Sequence, residues 1–164
     1  MILTGIEAIN LSFRIGTGSK MMKQSNRTLQ VVDAQGGGLG KQLISTLRKE
    51  TDHLCILAVG TNSVATSAML KAGADEAATG ENSILVASRK ADLIIGPIGM
   101  VIANAMLGEI TPLMARAIAE ADATRILIPF SNCDNYIAGV ADFSTGRLIR
   151  DAVDQVKKLL TDMT

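Results

Sequence analysis

Four short runs in this chain, LQVVD (29–33), LCILAV (54–59), DLIIGP (92–97) and RILIPF (125–130), are apolar almost from end to end rather than alternating. A strand with one wet face alternates apolar and polar side chains, whereas a continuously apolar strand needs cover on both faces, the condition of a parallel sheet between two helical layers. The intervening stretches supply that cover. Leu39, Leu43, Ile44 and Leu47 share one helical face. GTNSVATSAMLKAG reads as a helix capped by Asn62 or Ser63 and ended by Gly73. DEAAT is a short third strand and ENSILVASRK a short helix. Thr111 and Pro112 open another helix, with proline in the first turn, where its missing N–H costs nothing. YIAGVADF (136–143) is expected as a sixth strand, and residues 146–161 as a terminal amphipathic helix carrying Leu148, Ile149, Val153, Val156 and Leu160. GMVIANAMLGE (99–109), apolar nearly all round, is expected as a helix buried on most sides. The alternation predicts a single-domain, three-layer α/β fold: a doubly wound, mostly parallel, Rossmann-like sheet with strand order 3-2-1-4-5-6.

Composition narrows the function classes. With 164 residues, 48% of them hydrophobic, one core can form without disulfides or metal. Sixteen cations balance sixteen acids and are scattered, and there are three Phe, one Tyr and no Trp, so neither the charge nor the stacking platforms of a nucleic-acid binder are present. Cys55, Cys133 and the single histidine His53 spell no metal site or disulfide framework, which fits a reducing cytoplasm. No run approaches the roughly 20 apolar residues that span a bilayer, so no membrane partner is expected. Residues 1–28 lack the pattern of a secretory signal and are expected as an N-terminal extension outside the core domain of residues 29–164, with Met21 or Met22 the natural start.

The chemistry concentrates in VVDAQGGGLGKQL (31–43), where a strand runs through a glycine-rich turn into a helix. Such a turn offers free N–H groups and a helix N-terminus to an anion. Laid on the dinucleotide fingerprint G-x-G-x-x-G, Gly37 and Gly40 take the second and third glycine places and Gln35 the first, with Gly36 or Gly38 expected to supply the turn. The candidate phosphate contacts are therefore Gln35, Gly36, Gly37, Gly38, Leu39, Gly40 and Lys41. Ligand crevices in doubly wound sheets lie at the carboxyl ends of the strands, which adds Gly60, Thr61, Asn62 and Ser63 after the second strand and Gly96, Pro97, Ile98 and Gly99 after the fourth. The tip of the second strand lacks the acid that holds NAD ribose; Thr61, Ser63 and the helix N-terminus suit a 2′-phosphate, which favours NADP over NAD and leaves a mononucleotide or phosphorylated metabolite open. GGLGK (37–41) is also similar to a deviant P-loop, but Gln42 stands where the magnesium-holding hydroxyl belongs and Asp92 precedes its strand, so a P-loop-like nucleotidase is the weaker alternative.

No catalytic residue stands out. The only tyrosine, Tyr136, lacks a lysine four residues on, and His53 falls at the end opposite the crevice. Cys133 lies on the crevice side without a nameable base, and Cys55 is expected in the core. Glu81 and Glu109 are loop acids near the crevice, as readily helix-terminus or surface charges as catalysts. The Met-rich segment from Met100 to Met106, followed by Met114, reads as core, part of it packing on a second copy, so a homo-oligomer is expected.

At VDAQGGGLGKQL, GTNSVATSAMLKAGADEAATGEN and GPIGMVIANAMLGEITPLMARAI the chain resembles an uncharacterised family of bacterial Rossmann-like proteins, a domain of unknown function, over residues 29–155. Ala34 departs from the glycine expected there. The resemblance implies the fold and no activity. Two readings follow: a protein binding NADP, NAD or another nucleotide, with an oxidoreductase as its enzymatic form; or a non-catalytic ligand-binding, regulatory or structural homo-oligomeric module on the same fold.

Overall fold

The computed structural model describes residues 27–129, 135–140 and 144–163. Strands β1 (Arg27–Asp33), β2 (Leu54–Gly60), β3 (Glu76–Thr79), β4 (Leu93–Pro97) and β5 (Thr124–Ile128) alternate with helices α1 (Gly38–Glu50), α2 (Ser63–Lys71), α3 (Glu81–Ser88) and α4 (Pro112–Ala119), and α5 (Thr145–Asp162) follows β5. All neighbours pair in parallel, in the order β3-β2-β1-β4-β5. This is an α/β arrangement consistent with a Rossmann-like single domain, and the order reverses between β1 and β4, as in the first five strands of the expected order 3-2-1-4-5-6.

Two cores flank the sheet. Leu29 and Val31 of β1 face α1 and α5, meeting Leu43, Ile44, Leu47, Val153 and Val156; Val32 of β1 and Ile94 of β4 face Ile84 of α3 and Met114 and Ile118 of α4. The register sets Asp33 beside Gly60, and Gly60 beside Thr79, which brings the loops of the carboxyl edge together. Cys55 is only partly buried, because the α3/α4 layer covers Val59 fully and thins out towards the start of β2.

The segment 99–109 is not the expected helix. A single 3-10 turn (Ile98–Val101) is followed by tight turns, with positive φ at Asn104 (63°), Met106 (56°), Leu107 (58°) and Gly108 (84°). Its apolar residues anchor the loop ends instead of forming a helical face: Met100 and Ile110 are buried, while Leu107 is 97% exposed. Asn104 N donates to Ile110 O, closing the loop on itself. With no uniformly apolar helix, the ground for expecting self-association goes too. The sixth strand is likewise not seen in residues 135–140, where a turn forms at Ala138–Gly139 with Gly139 at φ 80°. The remainder of that expected strand, Cys133 and the extension up to residue 26 lie outside the described residues.

Candidate functional site

The site begins with Asp33, the last residue of β1. Its carboxylate turns into the start of α1, where Oδ1 accepts from Ala34 N (2.8 Å) and Oδ2 from Gly40 N (2.7 Å). Burial raises its pKa above the ordinary 3.8, against the lowering effect of the Gly40, Ala34 and Leu39 N–H groups. The N–H groups at the start of α1 are thus already partly taken up by this internal carboxyl group. Sequence reading treated Asp33 as part of a strand and missed this cap.

The turn between them closes through Gly37 N donating to Ala34 O (3.0 Å). Its left-handed positions are Gln35 (φ 51°) and Gly37 (φ 69°), not Gly36 or Gly38. Gln35 therefore adopts, without being glycine, the conformation for which the first fingerprint position favours glycine. Packing accounts for two further glycines: a Cβ on Gly37 would stand 2.6 Å from Ala65 Cα, and one on Gly40 would stand 2.5 Å from Met69 Sδ. Gly36 and Gly38 differ. Neither has a positive φ, and a Cβ on either would meet nothing within 4 Å.

Gly36 and Gly38 are both exposed, and both line a cavity of about 260 Å³ together with Asp33, Ala34, Gln35, Gly37, Leu39, Gln42, Pro97, Met106 and Thr145. Of the expected contacts it gathers Gln35, Gly36, Gly37, Gly38 and Leu39 with Pro97 from the neighbouring strand. The others go elsewhere. Lys41 lines a separate groove between α1 and α5, with Ser45, Lys49 and Arg150, so it does not fold back over the glycine turn as a P-loop lysine would. Gly60 is packed against Thr66, Gly96 against Val32 O and Met100, and Ser63 is an exposed first residue of α2. Ile98 and Gly99 start the 3-10 turn, outside the lining.

Thr61 and Asn62 meet Glu109, which comes from the loop before α4. Its Oε2 accepts from Gln35 N (2.9 Å), Thr61 Oγ1 (2.5 Å) and Asn62 Nδ2 (2.9 Å). Asn62 also donates to Gln35 O (3.0 Å) and caps α2 by accepting from Ala65 N (2.9 Å). Partial burial works to raise the Glu109 pKa, but the bonds from Thr61, Gln35 and Asn62 outweigh it and hold the carboxyl below its ordinary 4.5. One carboxylate thus ties together three loops of the carboxyl edge. From sequence it was one of two loop acids without an assigned partner, since 74 residues separate it from Gln35.

A family model described as a domain of unknown function matches residues 28–161. The chain belongs to the DUF3842 family. No curated protein matches it. The glycine turn and the Glu109 contacts all fall inside the matched span of this DUF3842 domain.

The remaining candidates sit apart from the cavity. Glu81 accepts from Thr111 Oγ1, tying the start of α3 to the cap of α4. His53 is exposed just before β2, at the opposite edge of the sheet. Among the described residues no group of three His, Cys, Asp or Glu stands where it would hold a metal ion, and no helix is long and apolar enough to cross a membrane.

Proposed function

We propose that this DUF3842 domain binds a nucleotide or a related phosphorylated ligand at the carboxyl edge of its sheet, with the phosphates on the glycine turn. One observation carries the reading: Gly36 and Gly38 are glycines that neither backbone conformation nor packing requires, and both line the cavity. A side chain at either would fill the space a phosphate needs. Among the described residues, neither N–H has a hydrogen-bond partner, while Asp33 occupies Gly40 N. The phosphates therefore go to Gly36 and Gly38, and Thr145 at the start of α5 brings a second helix N-terminus to the same space.

The cavity is smaller than the roughly 300–1,000 Å³ of sites that enclose a ligand, so a dinucleotide such as NAD or NADP would seat its pyrophosphate there and lay the rest along the open crevice. Asp33 is the one titratable side chain in the lining, and it is engaged at the start of α1. That favours a binding or regulatory role over a complete enzyme. Thermal unfolding of the full chain with NAD, NADP, ATP and FMN tests the reading, because a ligand bound only by the folded state raises the midpoint. A rise with one of them that Gly36→Val and Gly38→Val each abolish, without lowering the unliganded midpoint, supports it. No rise with any of them, in protein free of copurified ligand, makes the open glycines incidental and refutes it.

A further inference from the structure

We infer that Glu109 is the ribose-hydroxyl acceptor of this site and makes it select NAD over NADP; the inference rests on the nucleotide reading above and adds the identity of the ligand. In a doubly wound sheet the adenosine ribose lies at the tip of the second strand, where a carboxylate takes its hydroxyls. Residues 60–63 offer no acid, which on sequence alone pointed to a 2′-phosphate. The fold supplies the acid from a different segment. Glu109 reaches the tip of β2 from the far side of the β1/β4 switch point, and its carboxylate bonds to Thr61 and Asn62 there and to the backbone of the glycine turn.

The two oxygens have different tasks. Three donors converge on Oε2, whereas Oε1 has no hydrogen bond among the described residues. The anchored oxygen fixes the group, and the other is left as an acceptor held in place before a ligand arrives. No lysine or arginine is ion-paired with Glu109 among the described residues. A ribose hydroxyl donates to such an oxygen; a 2′-phosphate brings like charge to within a few ångströms of it. The loop carrying Glu109 holds Asn104, Met106 and Leu107 in left-handed backbone, a conformation kept only where surrounding contacts over-determine it. Its anchors are the buried Met100 and Ile110 at its ends and Glu109 itself.

Titration calorimetry of the full chain with NAD and with NADP tests the assignment. The expected result is NAD binding at least about tenfold more tightly, since like charges about 4–6 Å apart near a protein surface repel by more than the equivalent of one decade in affinity. Because the discrimination is electrostatic, it shrinks as salt is raised. Glu109→Gln keeps the size of the side chain and removes its charge, and is expected to bring the ratio close to one, mainly through tighter NADP binding. Equal affinities in the unmodified chain, preference for NADP, or a ratio that Glu109→Gln leaves unchanged each overturn this inference while leaving nucleotide binding intact. Should neither dinucleotide bind, the functional reading falls and this one with it. The wild-type ratio and its salt dependence need no variant, so the test survives a Glu109→Gln protein that fails to fold.

Discussion

Adjacent glycines of one turn should respond oppositely to the same methyl group. In Gly37→Ala the new Cβ would lie 2.6 Å from Ala65 Cα and 2.9 Å from Ala65 O, backbone atoms of α2 that cannot swing aside, at a φ of 69°. The left-handed conformation costs an alanine about 1–2 kcal/mol, and overpacking against a fixed neighbour adds about 1–3 kcal/mol. The sum is a loss of about 2–5 kcal/mol, a large share of the 5–15 kcal/mol that typically holds a domain together. In Gly38→Ala the Cβ meets nothing within 4 Å, φ is ordinary, and the residue is the first of α1, so alanine stabilises by up to about 1 kcal/mol. At about 2–4 °C per kcal/mol for a chain of this size, the Gly37→Ala midpoint falls by about 4–20 °C and that of Gly38→Ala stays level or rises by a few degrees. Calorimetric or circular-dichroism melts of the two variants decide it. Equal losses in both, or the larger loss in Gly38→Ala, would refute the division of these glycines into packing and ligand-facing positions on which the functional proposal stands.

Gln35→Gly places glycine where φ is 51° and leaves the backbone bonds to Glu109 and Asn62 in place; relief of strain against the greater chain entropy of glycine should leave stability between unchanged and about 1 kcal/mol higher, read from a urea titration. Glu109→Gln should cost about 1–2 kcal/mol at neutral pH, through weakened charge-assisted hydrogen bonds. Since the folded carboxyl titrates below its ordinary 4.5, that contribution is present above 4.5 and lost as pH falls through the lowered value, so wild type and variant should converge in acid melts. Asp33 runs the other way: its raised pKa favours the fold below 3.8, and that contribution is lost as pH rises through the raised value. The difference between wild type and variant carries chiefly Glu109, together with the smaller fall in the Asp33 pKa when the neighbouring Glu109 charge is removed. Lys41→Ala should leave nucleotide affinity within about twofold, because Lys41 lines the α1/α5 groove and not the glycine cavity; a hundredfold loss would return the P-loop reading to contention.

Much of the fold was legible in one dimension because its causes are local. The continuous apolar runs at Leu54–Gly60 and Leu93–Pro97 require cover on both faces, and capping at Asn62 and Thr111 depends on residues three positions away. The segment 99–109 misled for the same reason. Its composition suits a buried helix, but Met100 and Ile110 are each drawn into the core by separate contacts, and the chain between them must turn. Sequence placed Gly60–Ser63 and Gly96–Gly99 in one crevice with equal standing. The structure kept Pro97 in the lining and gave Gly60 and Gly96 to close backbone packing.

By itself the sequence determined a parallel α/β sheet and a glycine turn after its first strand, because hydrophobic periodicity and turn chemistry act over a few residues, and the doubly wound topology that such an alternation adopts supplied the strand order about β1. Only the tertiary structure decided which glycines are demanded by packing and which have room for a side chain, and that Asp33 already fills part of the α1 N-terminus. Likewise, the carboxylate missing from the tip of β2 arrives as Glu109, nearly fifty residues further along the chain. Those features depend on groups that parallel crossover connections bring together from distant parts of the chain, and no local spacing encodes such a meeting.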